Sequence, residues 1–309
     1  MDLRQLNALL AVADHGSFSA AARAMHTVQS NVSTHVARLE KEVGATLIDR
    51  GSGGLTDEGE IVAARARRIQ AELEAMAADL ASLDDAIAGS VRVGVIGTTA
   101  RWLVPRLMEA MAERHPKVRV VVVDATTTSL LLQLTTGRLD LAVINLPIDD
   151  PDVATQRLFD EDRLLVVPKG HALFERGRLT LTDLAGEPLL LEPKGTAFRD
   201  QLDRQCADAG IELEAQAEVD GMRLLASLAF QGFGAALLPA SAAPSWIGGE
   251  WKRIPVDGLT GRSVGLATPR RGMLSAPARA LRDVVRDLVD TDASKQPGIH
   301  PVTDVMSGP

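Results

Sequence analysis

The sequence predicts an all-α helix-turn-helix head, one long helix and an α/β domain, in that order. Three observations predict it. Short helical patterns run from residue 2 to residue 50, broken at His15-Gly16-Ser17 and at His26-Thr27-Val28. Residues 57–88 then carry one unbroken helical pattern without proline. From Val91 onward the period changes, and apolar bursts at 91–96, 118–123, 139–144, 164–167 and 189–191 alternate with helical stretches. Such alternation marks an α/β domain with a largely parallel sheet.

Composition bounds the function. A chain of 309 residues is about twice an average domain, and 46% hydrophobic with 24% charged residues is ordinary for a globular protein. No apolar run reaches the roughly 18 residues a membrane helix needs. Met1-Asp2-Leu3-Arg4-Gln5-Leu6 has neither a basic leader nor a small-residue cleavage site, so the expected location is the cytoplasm. The single cysteine, Cys206, excludes an internal disulfide and a cysteine-rich metal cluster. Histidines 15, 26, 35, 115, 171 and 300 show no ligand spacing, so neither a metal nor another cofactor is expected. With no tyrosine, six phenylalanines and three tryptophans, the chain is a poor stacking platform for single-stranded nucleic acid. A net charge of −8 weighs against non-specific coating of nucleic acid, while residues 1–56 balance five basic against five acidic side chains.

In the head, Asp2-x-x-Gln5 reads as a capping box for a helix whose apolar face is Leu3, Leu6, Leu9, Leu10 and Ala13. Ser19 reads as the N-cap of a second, alanine-rich helix through Met25. Gln29 opens a third, with Val32, Val36 and Leu39 inward and Gln29, Ser30, Ser33 and Thr34 outward on its first two turns. Short polar side chains there suit a helix entering a major groove: glutamine reads adenine through N6 and N7, and serine and threonine are tolerant partners. Any small helical bundle shares this spacing, so the pattern alone leaves plain packing open.

The residues themselves narrow the choice. Ser17-Phe18-Ser19-Ala20-Ala21-Ala22-Arg23-Ala24-Met25-His26-Thr27-Val28-Gln29-Ser30-Asn31-Val32-Ser33, followed by Leu39-Glu40-x-x-x-Gly44-x-x-Leu47-Ile48-x-Arg50 and Leu55-Thr56-x-x-Gly59, resembles the LysR-type transcriptional regulators. The likeness continues through His115-Pro116, Gly137-Arg138-Leu139-Asp140-Leu141-Ala142 and Gly232-Phe233-Gly234-Ala235-x-x-Leu238-Pro239, spanning about residues 2–290 in family order. It implies a winged helix-turn-helix at 1–58 and a linker and dimerisation helix at 59–89. A periplasmic-binding-protein-like (type 2) effector domain follows at 90–292, with subdomain I at about 90–166 and 267–292 and subdomain II at about 167–266. It also implies DNA contacts from Ser19, Gln29, Ser30, Asn31, Ser33, Thr34, Arg38 and Arg50. Two departures stand out. Gly51-Ser52-Gly53-Gly54 makes a short loop without the basic residues usual in the family's wing, and Thr34 stands where arginine is frequent. Both predict a shallow salt dependence per monomer, offset by multivalency.

Val62, Ala66, Ile69, Leu73, Met76, Leu80, Leu83 and Ile87 follow alternating spacings of four and three without a miss. A seam of that regularity predicts pairing with a second helix, against the plainer reading of packing on its own chain. The resemblance implies a dimer or tetramer on double-stranded operator DNA with dyad symmetry.

In the α/β part, family position implies a ligand cleft lined by Thr98, Thr99, Arg101, Thr127, Thr128, Asn145, Phe198 and Met222. Read from the residues alone, Thr98 and Thr127 serve equally as helix N-caps, and Phe198 and Met222 as core. The hydroxyl-rich strand ends favour a small anionic metabolite. Family peroxide sensors use a cysteine pair in this subdomain; with Cys206 alone that switch is unavailable within one chain. Residues 293–309, rich in Pro, Gly, Ser and Thr, are expected to be disordered. The competing classes are an enzyme or secreted solute binder and an architectural DNA-binding protein. No dinucleotide, P-loop or nucleophile-elbow motif and no leader supports the first, and the charge count opposes the second. The chain is therefore read as a ligand-modulated, sequence-specific DNA-binding regulator without catalysis.

Overall fold

The computed structural model describes residues 1–49, 51, 53–81 and 86–302; Arg50, Ser52 and Leu83, singled out above, lie outside them. Three helices form the head: α1 (Leu3–His15), α2 (Phe18–Ala24) and α3 (Gln29–Val43). Asp2 and Gln5 close the capping box on α1 as expected. Ser17, not Ser19, caps α2. Ser17 has the extended backbone of an N-cap and accepts from the Ala20 N–H, whereas Ser19 already lies inside the first turn. Leu6, Leu9, Val32, Val36, Leu39 and Leu47 fill the core between the helices. The chain then turns through a single antiparallel bridge, Ile48 to Leu55, with the Glu40 carboxylate accepting the N–H groups of Leu47 (2.8 Å) and Ile48 (3.3 Å).

Helix α4 (Asp57–Ala81) is about 37 Å long. Thr56 caps it by accepting from the Gly59 N–H at 3.0 Å. Position 59 must be glycine because a Cβ there would fall on the Leu47 carbonyl. The predicted seam divides. Ala63 and Ala66 are buried in the head, with Val62 packed beside them, while Ile69, Leu73, Met76 and Leu80 are exposed. Ile87 lies beyond α4, outside any helix.

The remaining elements are β1 (Gly89–Ile96), α5 (Gly97–Arg114), β2 (Val118–Ala125), α6 (Thr127–Thr135), β3 (Leu141–Leu146), β4 (Val153–Glu161), β5 (Arg163–Pro168), β6 (Leu179–Thr180), β7 (Pro188–Leu191), α7 (Ala197–Asp208), β8 (Glu214–Glu218), α8 (Met222–Phe230), β9 (Ala235–Pro239), β10 (Trp251–Asp257), β11 (Arg262–Pro269), α9 (Ala276–Asp292) and β12 (Ile299–Pro301). They build two six-stranded sheets, ordered β12-β4-β11-β3-β1-β2 and β6-β10-β5-β9-β7-β8. Both are mixed rather than largely parallel. The pairs β1–β2, β1–β3, β7–β8, β7–β9 and β6–β10 run parallel, whereas β4–β11, β3–β11, β4–β12, β5–β9 and β5–β10 run antiparallel.

Those crossings lie earlier than the sequence suggests. The chain leaves the first sheet at Glu161 and enters the second at Arg163, with only Asp162 between; it returns through the 258–261 turn into β11. Residues 163–166 thus belong to subdomain II and 262–266 to subdomain I. No proline or glycine punctuates the first crossing, so an apolar-run reading places it too late. Residues 293–302 are also ordered: a 3-10 turn at Ala293–Lys295 leads to β12, which pairs antiparallel with β4 and buries Ile299. The edge of β4 supplies the partner that composition could not foretell; residues 303–309 lie outside the described part.

One apolar cluster spans the two subdomains. Leu225, Ala226 and Ala229 of α8, with Leu190, Ala236 and Leu238 from the second sheet, pack into the core of the first. The opposite face of the second sheet has its own core, which holds Cys206. No described helix is long and apolar enough to cross a membrane.

Candidate functional site

Two places gather the residues singled out by the sequence. On the head, the first turns of α3 stand clear of the core. Gln29, Ser30, Asn31 and Thr34 are exposed, Ser33 is half-buried, and Arg38 is exposed one turn further on. Their side chains are held by local bonds. Ser19 Oγ donates to Gln29 Oε1 at 2.9 Å, Asn31 Nδ2 to Thr27 Oγ1 at 3.0 Å, and Thr34 Oγ1 to the Ser30 carbonyl at 2.8 Å. Ser19, on α2, thereby orients the glutamine on the next helix. Burial of Val32, Val36 and Leu39 on the opposite face fixes the rotation of α3 and so aims this polar surface outward.

The second place is the junction between the subdomains where the strands cross. Thr98 and Thr99 open α5 and are buried, yet neither is its N-cap, which is Ile96. Thr98 Oγ1 accepts from Arg262 Nη2 at 2.6 Å. Arg262 Nε also donates to Glu161 at 2.5 Å, and the other Glu161 oxygen accepts from the Ser241 N–H at 3.0 Å. Both crossings are thus joined to the start of α5 by one buried ion pair. Arg163, first residue of the second sheet, lies with its Cζ 4.6 Å from the Phe198 ring centre. Burial pushes the Glu192 carboxyl up, and the charge of Asp220 adds to that, while Arg262 opposes it.

The other ligand candidates divide. Arg101 donates to the Ala242 carbonyl at 3.3 Å, so it bridges the subdomains; its guanidinium is depressed by burial and by Arg223. Thr127 Oγ1 accepts the Asn145 N–H at 3.2 Å, and Thr126, not Thr127, caps α6. Thr128 is exposed, and Met222 packs against the shared core. Sequence reading did not find Glu161, Arg163 or Arg262. A signal existed, since Arg163 and Arg262 are the first residues of strands that are otherwise mostly apolar, but nothing local says that the strands meet.

Across the mouth of the cleft, Arg223 of α8 pairs with Asp124 at the end of β2 at 2.6 Å. Gly97 permits this: a Cβ there would stand 2.9 Å from Asp124 Oδ1 and 3.1 Å from Arg223 Nε. Cys206 is buried, and burial, with Asp203 nearby, raises its thiol to about 11. Among the described residues, no group of three or more His, Cys, Asp and Glu is arranged to hold a metal.

A helix-turn-helix head joined by one helix to a two-lobed α/β domain defines a DNA reader connected to a small-molecule sensor. Comparison with known proteins agrees for both parts. Residues 3–60 match the family of bacterial regulatory helix-turn-helix proteins of lysR type, and residues 84–290 match the LysR substrate binding domain. The chain belongs to the LysR family of bacterial transcriptional regulators. It is 35% identical over 297 residues to a probable hydrogen peroxide-inducible genes activator of Streptomyces viridosporus, covering 93% of this chain and 95% of that one. It is 29% identical over 302 residues to the DNA-binding transcriptional dual regulator OxyR of Escherichia coli, covering 96% and 97%. A full-length OxyR from Pseudomonas aeruginosa, solved as a cysteine-to-aspartate variant, superimposes with a TM-score of 0.76 at 26% identity, covering 96% of this chain and 97% of that one. These relatives are regulators of transcription, not enzymes, and the chain is a DNA-binding regulator responsive to a ligand through its substrate-binding domain.

Proposed function

We propose that α3 reads a dyad-symmetric operator in the major groove, that the chain acts in the cytoplasm as a dimer or tetramer, and that its effector enters the cleft between the subdomains. The observation that carries the DNA reading is the exposed polar surface of α3, aimed by the buried face behind it and steadied by the Ser19–Gln29 bond. Gln29, Ser30, Asn31 and Ser33 would meet base edges, and Ser19, Thr34, Arg38 and Arg50 phosphates. CbnR, whose structure includes its target DNA, shares the fold. The exposed half of the α4 seam supports assembly: Ile69, Leu73, Met76 and Leu80 form an apolar stripe that a second copy would cover.

Several relatives carry names that refer to hydrogen peroxide. This chain has one thiol, held well above the usual range by burial, so disulfide formation within a chain is not its switch. A bound small molecule fits better. Ligand would favour one relative setting of the two subdomains, and α4 would carry the change to the heads as a shift in population. That helix is fastened to subdomain I at several points. Arg68 Nη2 donates to the Thr135 carbonyl at 2.7 Å, Glu74 pairs with Arg92 at 3.6 Å, and Asp79 takes both the Ala276 N–H (2.8 Å) and Arg279 (3.2 Å).

Footprinting on DNA flanking the protein's own gene tests the reading. The expected result is a protected region with dyad symmetry, lost when Gln29→Ala and Ser33→Ala are combined. A folded, dimeric protein that protects nothing there and occupies no site genome-wide would sink it.

A further inference from the structure

The guanidinium of Arg163 has more donors than partners. The side chain is 4% exposed, and its Nη2 donates to Gln201 of α7 at 2.5 Å. Among the described residues, Nε and Nη1 have no hydrogen-bond partner, although both atoms are shut off from solvent. A buried cationic donor left unpaired is costly, more so than a neutral one. The Phe198 ring against the guanidinium and the charge of Glu161 offset part of that cost, but neither supplies an acceptor to Nε or Nη1. Glu161 commits one oxygen to Arg262 and the other to the Ser241 N–H. Arg262 is itself a second cation in the cluster, and burial together with its charge presses Arg163 down to about 10. The start of α5 belongs to the same cluster, since Arg262 also holds Thr98, and the hydroxyl of the adjacent buried Thr99 has no partner either.

Donors left over at the crossing of two lobes point to a negatively charged group that enters when the lobes close. The acidic residues limit how negative it can be. Glu161 and Glu192 lie in the same cluster, and a dianion would meet both. Phe198, whose ring centre lies 4.6 Å from the Arg163 Cζ and which packs partly against the core of the second sheet, puts an apolar surface beside the guanidinium, suited to an organic molecule rather than an inorganic oxyanion.

We propose that Arg163 is the anchor for the carboxylate of a small organic monoanion. This inference rests on the effector reading of the cleft and assigns that site a ligand class and a charge-reading residue. Arg163 pre-exists as an unpaired cation because the ligand supplies the missing acceptor. An arginine kept for structure would show the reverse pattern, with its donors already satisfied.

The test compares the full-length protein with Arg163→Met, which keeps the volume and removes the charge, and Arg163→Lys, which keeps the charge. Melting temperatures are read alone and with acetate, pyruvate and benzoate, with succinate as the dianion and with acetamide, benzamide and hydrogen peroxide as neutral probes. Without additive, Arg163→Met should melt unchanged or about 2–4 °C higher, since an unpaired buried charge is gone. At least one monocarboxylate should raise the wild-type melting temperature at millimolar concentration. That rise should vanish in Arg163→Met and return in part in Arg163→Lys. A fall of about 4 °C or more in Arg163→Met would show a structural role and overturn the assignment. So would a carboxylate effect that persists in Arg163→Met, a wild type that no monocarboxylate moves, or a preference for succinate. Neutral probes that shift wild type and Arg163→Met alike would leave the effector reading standing and remove Arg163 from it. Silence from every probe would take down both.

Discussion

The two ends of this regulator handle polar groups in opposite ways. On α3, Gln29, Ser30, Asn31 and Thr34 lie in solvent and bond only to near neighbours in sequence or on the adjacent helix. In the cleft, Thr98, Glu161, Arg163 and Arg262 are mostly withdrawn from water and come from segments as far apart as 164 residues. The difference fits the partners proposed for the two ends. DNA is a hydrated polyanion whose grooves are met by a surface, so side chains that read it stay solvated and exchange water for base edges. A small molecule is instead enclosed, and a group that recognises it must be desolvated beforehand and held by the fold. Mutations on the α3 surface should therefore be silent for stability, whereas breaking the buried Glu161–Arg262 pair at the other end should be severe.

The largest expected effect tests what joins the ends. Leu73→Glu combined with Leu80→Glu places charge on the exposed part of the α4 seam, where Leu73 is 39% and Leu80 62% exposed. We expect a folded monomer by sedimentation velocity and operator affinity lower by about 10²–10⁴, the value of linking two heads. A variant that remains dimeric would assign the seam no part in assembly. At the cleft, Arg262→Ala strands Glu161 in the interior and should cost about 3–5 kcal/mol in urea denaturation. A loss under about 1 kcal/mol would mean that the crossing cluster is not the mechanical junction described above. At the head, Gln29→Ala and Ser33→Ala together should lower operator affinity about 10–100-fold in a gel-shift titration with melting unchanged within about a degree. A stability loss comparable to that of Arg262→Ala would erase the contrast between the two ends.

Smaller still, Asp124→Asn removes a partly exposed pair across the cleft mouth and should cost under about 1 kcal/mol in urea. Its sharper readout is the ligand response, since the pair links the two subdomains. The smallest effect belongs to Cys206. With a thiol raised to about 11, only about one in ten thousand is ionised at pH 7, so alkylation of the native protein should be far slower than that of the urea-unfolded chain. The native state keeps this proton to higher pH than the unfolded chain does. Its contribution is therefore complete below the ordinary thiol range and is lost as pH rises from about 8.5 to about 11. Rapid alkylation at neutral pH would contradict the burial seen here.

Much of this protein was legible in its residues, for reasons that differ by region. The head was clear because each signal is local: a capping box, a three-residue break, an apolar face repeating along α3. One detail failed locally too, with Ser17 rather than Ser19 at the cap, because two good capping residues stand two positions apart. In the α/β part, β1, β2, β3, β5 and β7 announced themselves as apolar runs. Strand β8, Glu214-Ala215-Gln216-Ala217-Glu218, did not, because every residue of this edge strand is exposed and it has no apolar face to display. The terminal strand β12 was hidden for another reason, since only the unpaired edge of β4 makes a strand of Ile299–Pro301.

What the sequence determined by itself, then, is everything set by period and neighbourhood: the order of the zones, the outward surface of α3, the seam of α4 and the isolation of Cys206. Tertiary structure alone decided where that seam stops being core and becomes surface, where the chain changes sheets, and which charges meet at the crossing. Arg163 and Arg262 are 99 positions apart in the chain, and neither carries a local sign of the other. Helix and strand signals arise from contacts a few residues long, whereas a cleft is closed by loops whose ends are far apart. Its chemistry is therefore settled only once the whole sheet order is in place.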